Sequence, residues 1–220
     1  LYRYARRTNN DQLLEKAMMT KELALSFPQK NGFFPALIGT EMHEVEIEGE
    51  KYNRSKGWET YYWGNSNRNP YTWNPAESPL HILDMSWTAL LMLRWYDELE
   101  KDERLLNYAE SYAQALLETQ SSDGFFPGWI DAESSQPMDH LNDSPETSMS
   151  VTFLMKLFEL TNNQTYKQAA LKAMDAVINE IIPTGRWEDF ETYWSCSRLG
   201  STDWVGKKVA RNNIYKQNNF

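Results

Sequence analysis

The chain of 220 residues carries 22 Lys and Arg against 31 Asp and Glu, a net charge of −9, and its mean hydropathy is −0.68. That fits one soluble domain or a large piece of one. It offers no apolar run of about 18 residues to span a membrane and no Lys and Arg cluster to bind a nucleic-acid backbone. With Cys196 as the single cysteine, a disulfide framework and a zinc finger are both excluded.

The composition is rich in rings: 9 Trp, 12 Tyr and 9 Phe make up 14% of the residues, more than core filling alone calls for. The chain opens on Leu1-Tyr2-Arg3-Tyr4, which reads as helix, without an initiator Met or the basic-then-apolar pattern of a signal peptide. A processed or fragmentary chain, starting inside an outer helix of the repeat described next, is the expectation.

Self-similarity organises the sequence. Asn31-Gly32-Phe33-Phe34-Pro35 is echoed 92 positions later by Asp123-Gly124-Phe125-Phe126-Pro127, and Tyr4, Leu13, Leu14, Ala17 and Leu25 fall on Tyr96, Leu105, Leu106, Ala109 and Leu117. A further displacement of 61 places Ala109, Leu117 and Gly124 on Ala170, Ile178 and Gly185, and Thr8-Asn9-Asn10 recurs as Thr161-Asn162-Asn163. The unit is therefore about 61 residues, the size of a helical hairpin with its loops. The first interval holds an aromatic-rich inserted loop over 40–79. In that insertion Trp58, Tyr61, Tyr62, Trp63, Tyr71 and Trp73 alternate with Asn65, Asn67, Arg68, Asn69 and Asn74. Such rings stack on the C–H faces of sugars while amides and a guanidinium bond hydroxyls. Alternatively the rings pin a long loop to the body, since ordered loops of this length need anchors.

From Pro79 to Leu99 the chain is apolar almost all round, as a helix buried on every side reads. From Glu103 to Thr119 the apolar positions recur at three- and four-residue steps and leave a polar face. One helix is inner and one outer. The pair repeats with Ser144–Leu160 as inner, opened by an N-cap Ser144 and Pro145, and Gln164–Ile182 as outer. His81 falls at an inner-helix start and His43 in the insertion, neither with a partner evident from spacing.

Alternating inner and outer helices joined in hairpins describe an all-α fold, an (α/α)6-type toroid incomplete in this chain, or an open α-solenoid built the same way. Residues 1–220 form a single such domain of about three hairpins, where a closed ring would need roughly 370 residues. On the hairpin period and the Asp-Gly-aromatic loops, the sequence resembles the six-hairpin glycosidase-like superfamily. Gln120-Ser121-Ser122-Asp123-Gly124-Phe125 is also similar to the Gln-x-x-Asp-Gly-aromatic repeat of terpene-cyclase toroids, although the acidic cluster of those cyclases is not matched. The superfamily resemblance implies an active site at the end of the ring where loops lead into the inner helices.

Three segments lead there: 40–78, 128–143 and 186–212. The second carries Asp131, Glu133, Asp139, His140, Asp143 and Glu146 with no Lys or Arg among them. Carboxylates near a helix N-terminus, or close to each other, supply the donor and the base or nucleophile of glycoside hydrolysis, spaced about 5 to 9.5 Å apart; a helix cap at Asp143 with solvated neighbours is the plainer alternative. The oxygen ligands also admit a Ca²⁺ ion, though without EF-hand spacing. The third segment joins Trp187, Asp189, Glu191 and Tyr193 on one face if extended, and Trp194 on the other. Asp189 and Glu191 are a second candidate pair unless Arg186 holds them in an ion-pair network. Cys196 has no nucleophile-elbow context and reads as a small packed residue.

The expected function is a glycoside hydrolase acting on an oligosaccharide or polysaccharide, with Asp139, His140, Asp143, Asp189 and Glu191 as candidate catalytic residues and no resident cofactor. Trp58, Tyr62, Trp63, Arg68, Trp73, Trp129 and Trp194 are the candidate substrate contacts. A polysaccharide lyase using Tyr61, Tyr62 or His140 with Asn65 and Arg68, or a glycan-binding helical module without catalysis, are the alternatives. The remaining hairpins would come from further chain or a partner subunit, no nucleic-acid or membrane partner is expected, and a secreted or periplasmic location follows from glycan degradation.

Overall fold

The computed structural model describes residues 1–34, 41–47, 50–56, 80–131, 134–138 and 147–184, with backbone alone for 41–47 and 50–56. Described elements are α1 (Tyr2–Thr8), α2 (Asp11–Leu25), β1 (Glu41–Ile47), β2 (Glu50–Lys56), β3 (Leu80–His81), α3 (Ile82–Glu98), α4 (Glu103–Glu118), β4 (Trp129–Ile130), α5 (Thr147–Thr161) and α6 (Gln164–Ala176). A π-helical turn over Val177–Ile181 and a last helical turn, α7 (Ile182–Thr184), follow. The described residues are predominantly helical, as the all-α reading requires, and none of their helices is long and apolar enough to cross a membrane.

Short connections make α1/α2, α3/α4 and α5/α6 antiparallel hairpins. Each second helix begins the same way. Asn10 Oδ1 accepts from the Leu13 amide (3.0 Å), Asp102 Oδ1 from the Arg104 amide (3.2 Å) and Asn163 Oδ1 from the Thr165 amide (3.0 Å). Each such cap satisfies an amide the helix cannot, at about 1 kcal/mol. The caps are separated by the displacements of 92 and 61 found in the sequence.

The Gly-aromatic loops repeat as well. Gly32 has φ +83° and a Cβ there would lie 2.6 Å from the Ser111 carbonyl oxygen and from Ala115 Cβ; Gly124 has φ +103° and a Cβ would lie 2.6 Å from the Lys172 carbonyl oxygen. Only glycine combines that backbone with that approach. Gln29 Nε2 bonds the carbonyls of Gly32 and Tyr108, and Gln120 Nε2 those of Gly124 and Ala169. Each loop is thereby bolted to the second helix of the following hairpin.

The rings after each glycine turn inward. Phe33, Phe34, Phe125 and Phe126 are all buried. Phe34 meets Tyr108 and Tyr112 edge-on at 5.0 and 5.4 Å, and Tyr112 leans on Phe153 at 5.2 Å. Full burial of each such ring contributes about 1.5–3 kcal/mol. Among the described residues these four rings are core, whereas the rings of 57–79 and 186–194 lie outside them.

Helix α3 packs on α4 and on α5. Ser86 Oγ lies 3.0 Å from Ser150 Oγ near the start of both α3 and α5, and Lys156 Nζ is 2.7 Å from Asp97 farther along both. Helices α3 and α5 therefore run parallel, with their N-termini together.

Four expectations are corrected. Helix α1 is not an outer helix: the displacement of 92 puts it on the C-terminal half of α3, and it packs beside that half, with Arg3 Nη2 2.6 Å from Glu98 and Tyr2 edge-on to Trp95 at 5.4 Å. Helix α3 is not buried on every side, since Trp87 and Leu91 are 49% and 45% exposed. The insertion is not all loop: β1 and β2 pair antiparallel in register from Glu41 with Lys56 to Ile47 with Glu50. The last outer helix is not α-helical through Ile182, because Pro183 has no amide and its ring crowds the carbonyl four residues back, so the ladder widens to a π-turn just before it.

Candidate functional site at the start of the inner helices

The end where α3 and α5 begin is built from the segment after the second Gly-aromatic loop. Gly128 carbonyl accepts from the Ile82 amide (2.9 Å), and Leu80 and His81 pair antiparallel with Ile130 and Trp129. The Phe126 amide donates to Thr147 Oγ1 at 2.7 Å, fastening the same segment to the first residue of α5. Residues 57–79 lead into Leu80 and residues 139–146 into Thr147, so both connections join the described fold at this one end.

His81 is the N-cap residue of α3. Its ring stacks on the Trp129 indole at 4.2 Å and an interplanar angle of 16°, and its Nδ1 lies 3.0 Å from Asp84 Oδ2. The imidazole is 5% exposed and the Asp84 carboxylate 30%. Nδ1 donates to the carboxylate in the tautomer that carries its proton there.

Just beneath, Tyr112 Oη lies 2.8 Å from Ser86 Oγ and donates to the Ile82 carbonyl at 3.3 Å. Burial pushes its phenol well above the ordinary tyrosine range, with the Ser86 hydrogen bond opposing, so it stays protonated. This network joins α3, α4 and α5 under the His81 end.

Of the residues expected to bind or react, Trp129 alone lies among those described. It is 4% exposed with one face against His81. Asp139, His140, Asp143, Asp189, Glu191, Trp58, Tyr62, Trp63, Arg68, Trp73 and Trp194 lie outside the described residues, as do Ser144 and Pro145. Asp131, from the acidic segment, holds a turn: its Oδ1 accepts from the Ser134 amide and hydroxyl, both at 2.8 Å.

Sequence reasoning missed Asp84 as the partner of His81. The available signal was the spacing of N-cap and third helical residue, which brings two side chains together at a helix start. Among the described residues no group of three or more His, Cys, Asp or Glu is arranged to hold a metal ion; residues 139–146, for which calcium was considered, lie outside them. No family model matches the sequence, and no curated protein matches it.

Proposed function

We propose that this chain belongs to a carbohydrate-active enzyme, a glycoside hydrolase built of helical hairpins in an (α/α)6-type toroid and acting on an oligosaccharide through paired Asp or Glu at the end where the inner helices begin. The observation that carries the reading is the parallel placement of α3 and α5. It attaches the aromatic segment before Leu80 and the acidic segment before Thr147 at one end, beside Trp129, His81 and Asp84. Hairpins capped alike at Asn10, Asp102 and Asn163, the first two with their loops bolted alike by Gln29 and Gln120, support the repeat on which the toroid rests. In this reading Asp139, Asp143, Asp189 and Glu191 supply acid and base, rings of the insertion hold the sugar, further hairpins of the chain or a partner subunit complete the ring, and the enzyme is exported.

A second reading is a polysaccharide lyase in which Tyr61, Tyr62 or His140 abstracts the proton α to a uronic acid while Asn65 and Arg68 neutralise its carboxylate, because the same two segments join the fold at this end. One experiment separates the two. Incubation with a panel of neutral glycosides and uronate polymers is followed by new reducing ends and by the ultraviolet absorbance of an unsaturated uronate. Reducing ends without absorbance support the hydrolase, both together support the lyase, and tight binding with neither leaves a non-catalytic glycan module.

A further inference from the structure

The α1/α2 hairpin is held to the rest of the fold differently from the other two. The displacement of 92 places Leu13, Ala17, Thr20, Lys21 and Ala24 of α2 on Leu105, Ala109, Tyr112, Ala113 and Leu116 of α4. All five positions of α4 are buried, whereas in α2 only Ala17 and Lys21 are. Thr20 and Ala24 are too small to fill the places of Tyr112 and Leu116, and they line an open groove of about 500 Å³ against α3. Among the described residues, no side chain of α1 or α2 joins the apolar core that Phe33 and Phe34 share with α3, α4, α5 and α6.

Charge makes most of the attachment instead. Arg3 Nη2 lies 2.6 Å from Glu98 of α3, and Lys21 Nζ lies 2.9 Å from Asp102 and 3.0 Å from Glu100 in the turn before α4. Arg104 of α4 forks onto both oxygens of Glu22, at 2.7 and 2.9 Å. Helix α2 touches α3 and α4 sparsely, while α3 on α5 and α5 on α6 pack along their lengths. The attachment changes character at Ser26, the C-cap of α2. Beyond it Tyr108 donates its hydroxyl to the Phe27 carbonyl at 2.8 Å, and Gln29 bonds the Tyr108 carbonyl at 3.0 Å.

A segment with few buried apolar contacts opens ahead of the core to which it is attached. Salt screens exposed ion pairs but does not weaken apolar packing. We propose that residues 1–25 form a salt-labile unit that swings off α3 and α4 about Ser26 while the other helices stay folded. The inference rests on packing and charge and not on the carbohydrate chemistry, so its test stands or falls independently of any activity.

The test is hydrogen exchange of the intact chain, read by mass spectrometry on peptides covering 11–25 and 103–118, which are equivalent helices of two hairpins. Exchange of α2 at least about ten-fold faster than that of α4, with a shallower dependence on urea, is expected. Raising NaCl from about 20 mM to about 0.5 M should speed α2 alone by about two- to five-fold. Glu22→Gln, a change at an exposed residue, should speed α2 alone in low salt and reduce its response to added salt. Equal exchange of the two helices, or acceleration of both together, means one cooperative unit and overturns the proposal. Faster exchange of α2 that ignores both salt and Glu22→Gln also overturns it, because charge is then not the tie.

Discussion

Replacing Gly124 by Ala perturbs the joint between successive hairpins at a single carbon. The new Cβ would lie 2.6 Å from the Lys172 carbonyl oxygen, 3.1 Å from its carbon and 3.3 Å from Ala176 Cβ. The nearest obstacle is the backbone of α6, which cannot swing aside as a side chain can, so the loop or the helix must shift. Overpacking of this kind costs about 1–3 kcal/mol. The backbone adds its own penalty, because φ +103° is a conformation that costs a residue with a Cβ about 1–3 kcal/mol. The expected loss is therefore about 2–6 kcal/mol. It is read as a lower urea midpoint at unchanged slope, followed by circular dichroism and tryptophan emission together. At about 2–4 °C per kcal/mol for a chain of this size, Tm falls by at least about 4 °C. Gly32→Ala, which meets Ser111 and Ala115 at the same 2.6 Å, has a similar effect. A Gly124→Ala chain within about 0.5 kcal/mol of wild type, the range of an indifferent surface change, would refute the account of the joint.

Other outcomes follow from buried polar groups. Lys21, whose side chain is 2% exposed, holds Asp102 at 2.9 Å and Glu100 at 3.0 Å, so Lys21→Met costs about 1–3 kcal/mol by equilibrium unfolding, a figure kept low because Glu100 reaches water. The Arg104 side chain, and then Lys21, hold the Asp102 carboxyl well below the usual carboxylate range. A folded-state pKa depressed in this way contributes stability that is present above the unfolded value of about 4 and is lost as pH falls through the folded one. Asp102→Asn should therefore flatten the decline in stability below about pH 4, and an unchanged acid limb would count against the assignment. Tyr112→Phe removes the hydroxyl between Ser86 and the Ile82 carbonyl and is expected to cost about 1 kcal/mol with no change of fold, checked by unfolding and near-ultraviolet circular dichroism.

The hairpins were legible because their signals are local. The caps at Asn10, Asp102 and Asn163 and the loop glycines at 32 and 124 are set by short-range backbone needs that recur with the repeat, and the ends of α3 and α4 fall within three residues of their sequence reading. What was not legible depends on pairing at a distance. His81 meets Trp129 across 48 positions because β3 and β4 pair, and periodicity within either segment carries no trace of that. Phe33 and Phe34 read equally well as rim or core residues until the glycine before them is seen to turn the chain onto α4. Helix α1 was assigned to the wrong layer because two turns are too few to show whether a helix is apolar on one side or all round. Among the expected functional side chains, those on 57–79, 139–146 and 186–212 are known as sequence alone, and the described part of the site is the floor they attach to.

The most direct test of the central claim is the release of reducing ends from the glycoside panel by the wild-type chain and by Asp143→Asn and Asp189→Asn. The account predicts cleavage by wild type and a loss of at least about 100-fold in one of the two variants, the scale of a missing general acid or base. Full activity in both variants, or no cleavage and no binding of any glycan by the wild-type chain, would contradict it.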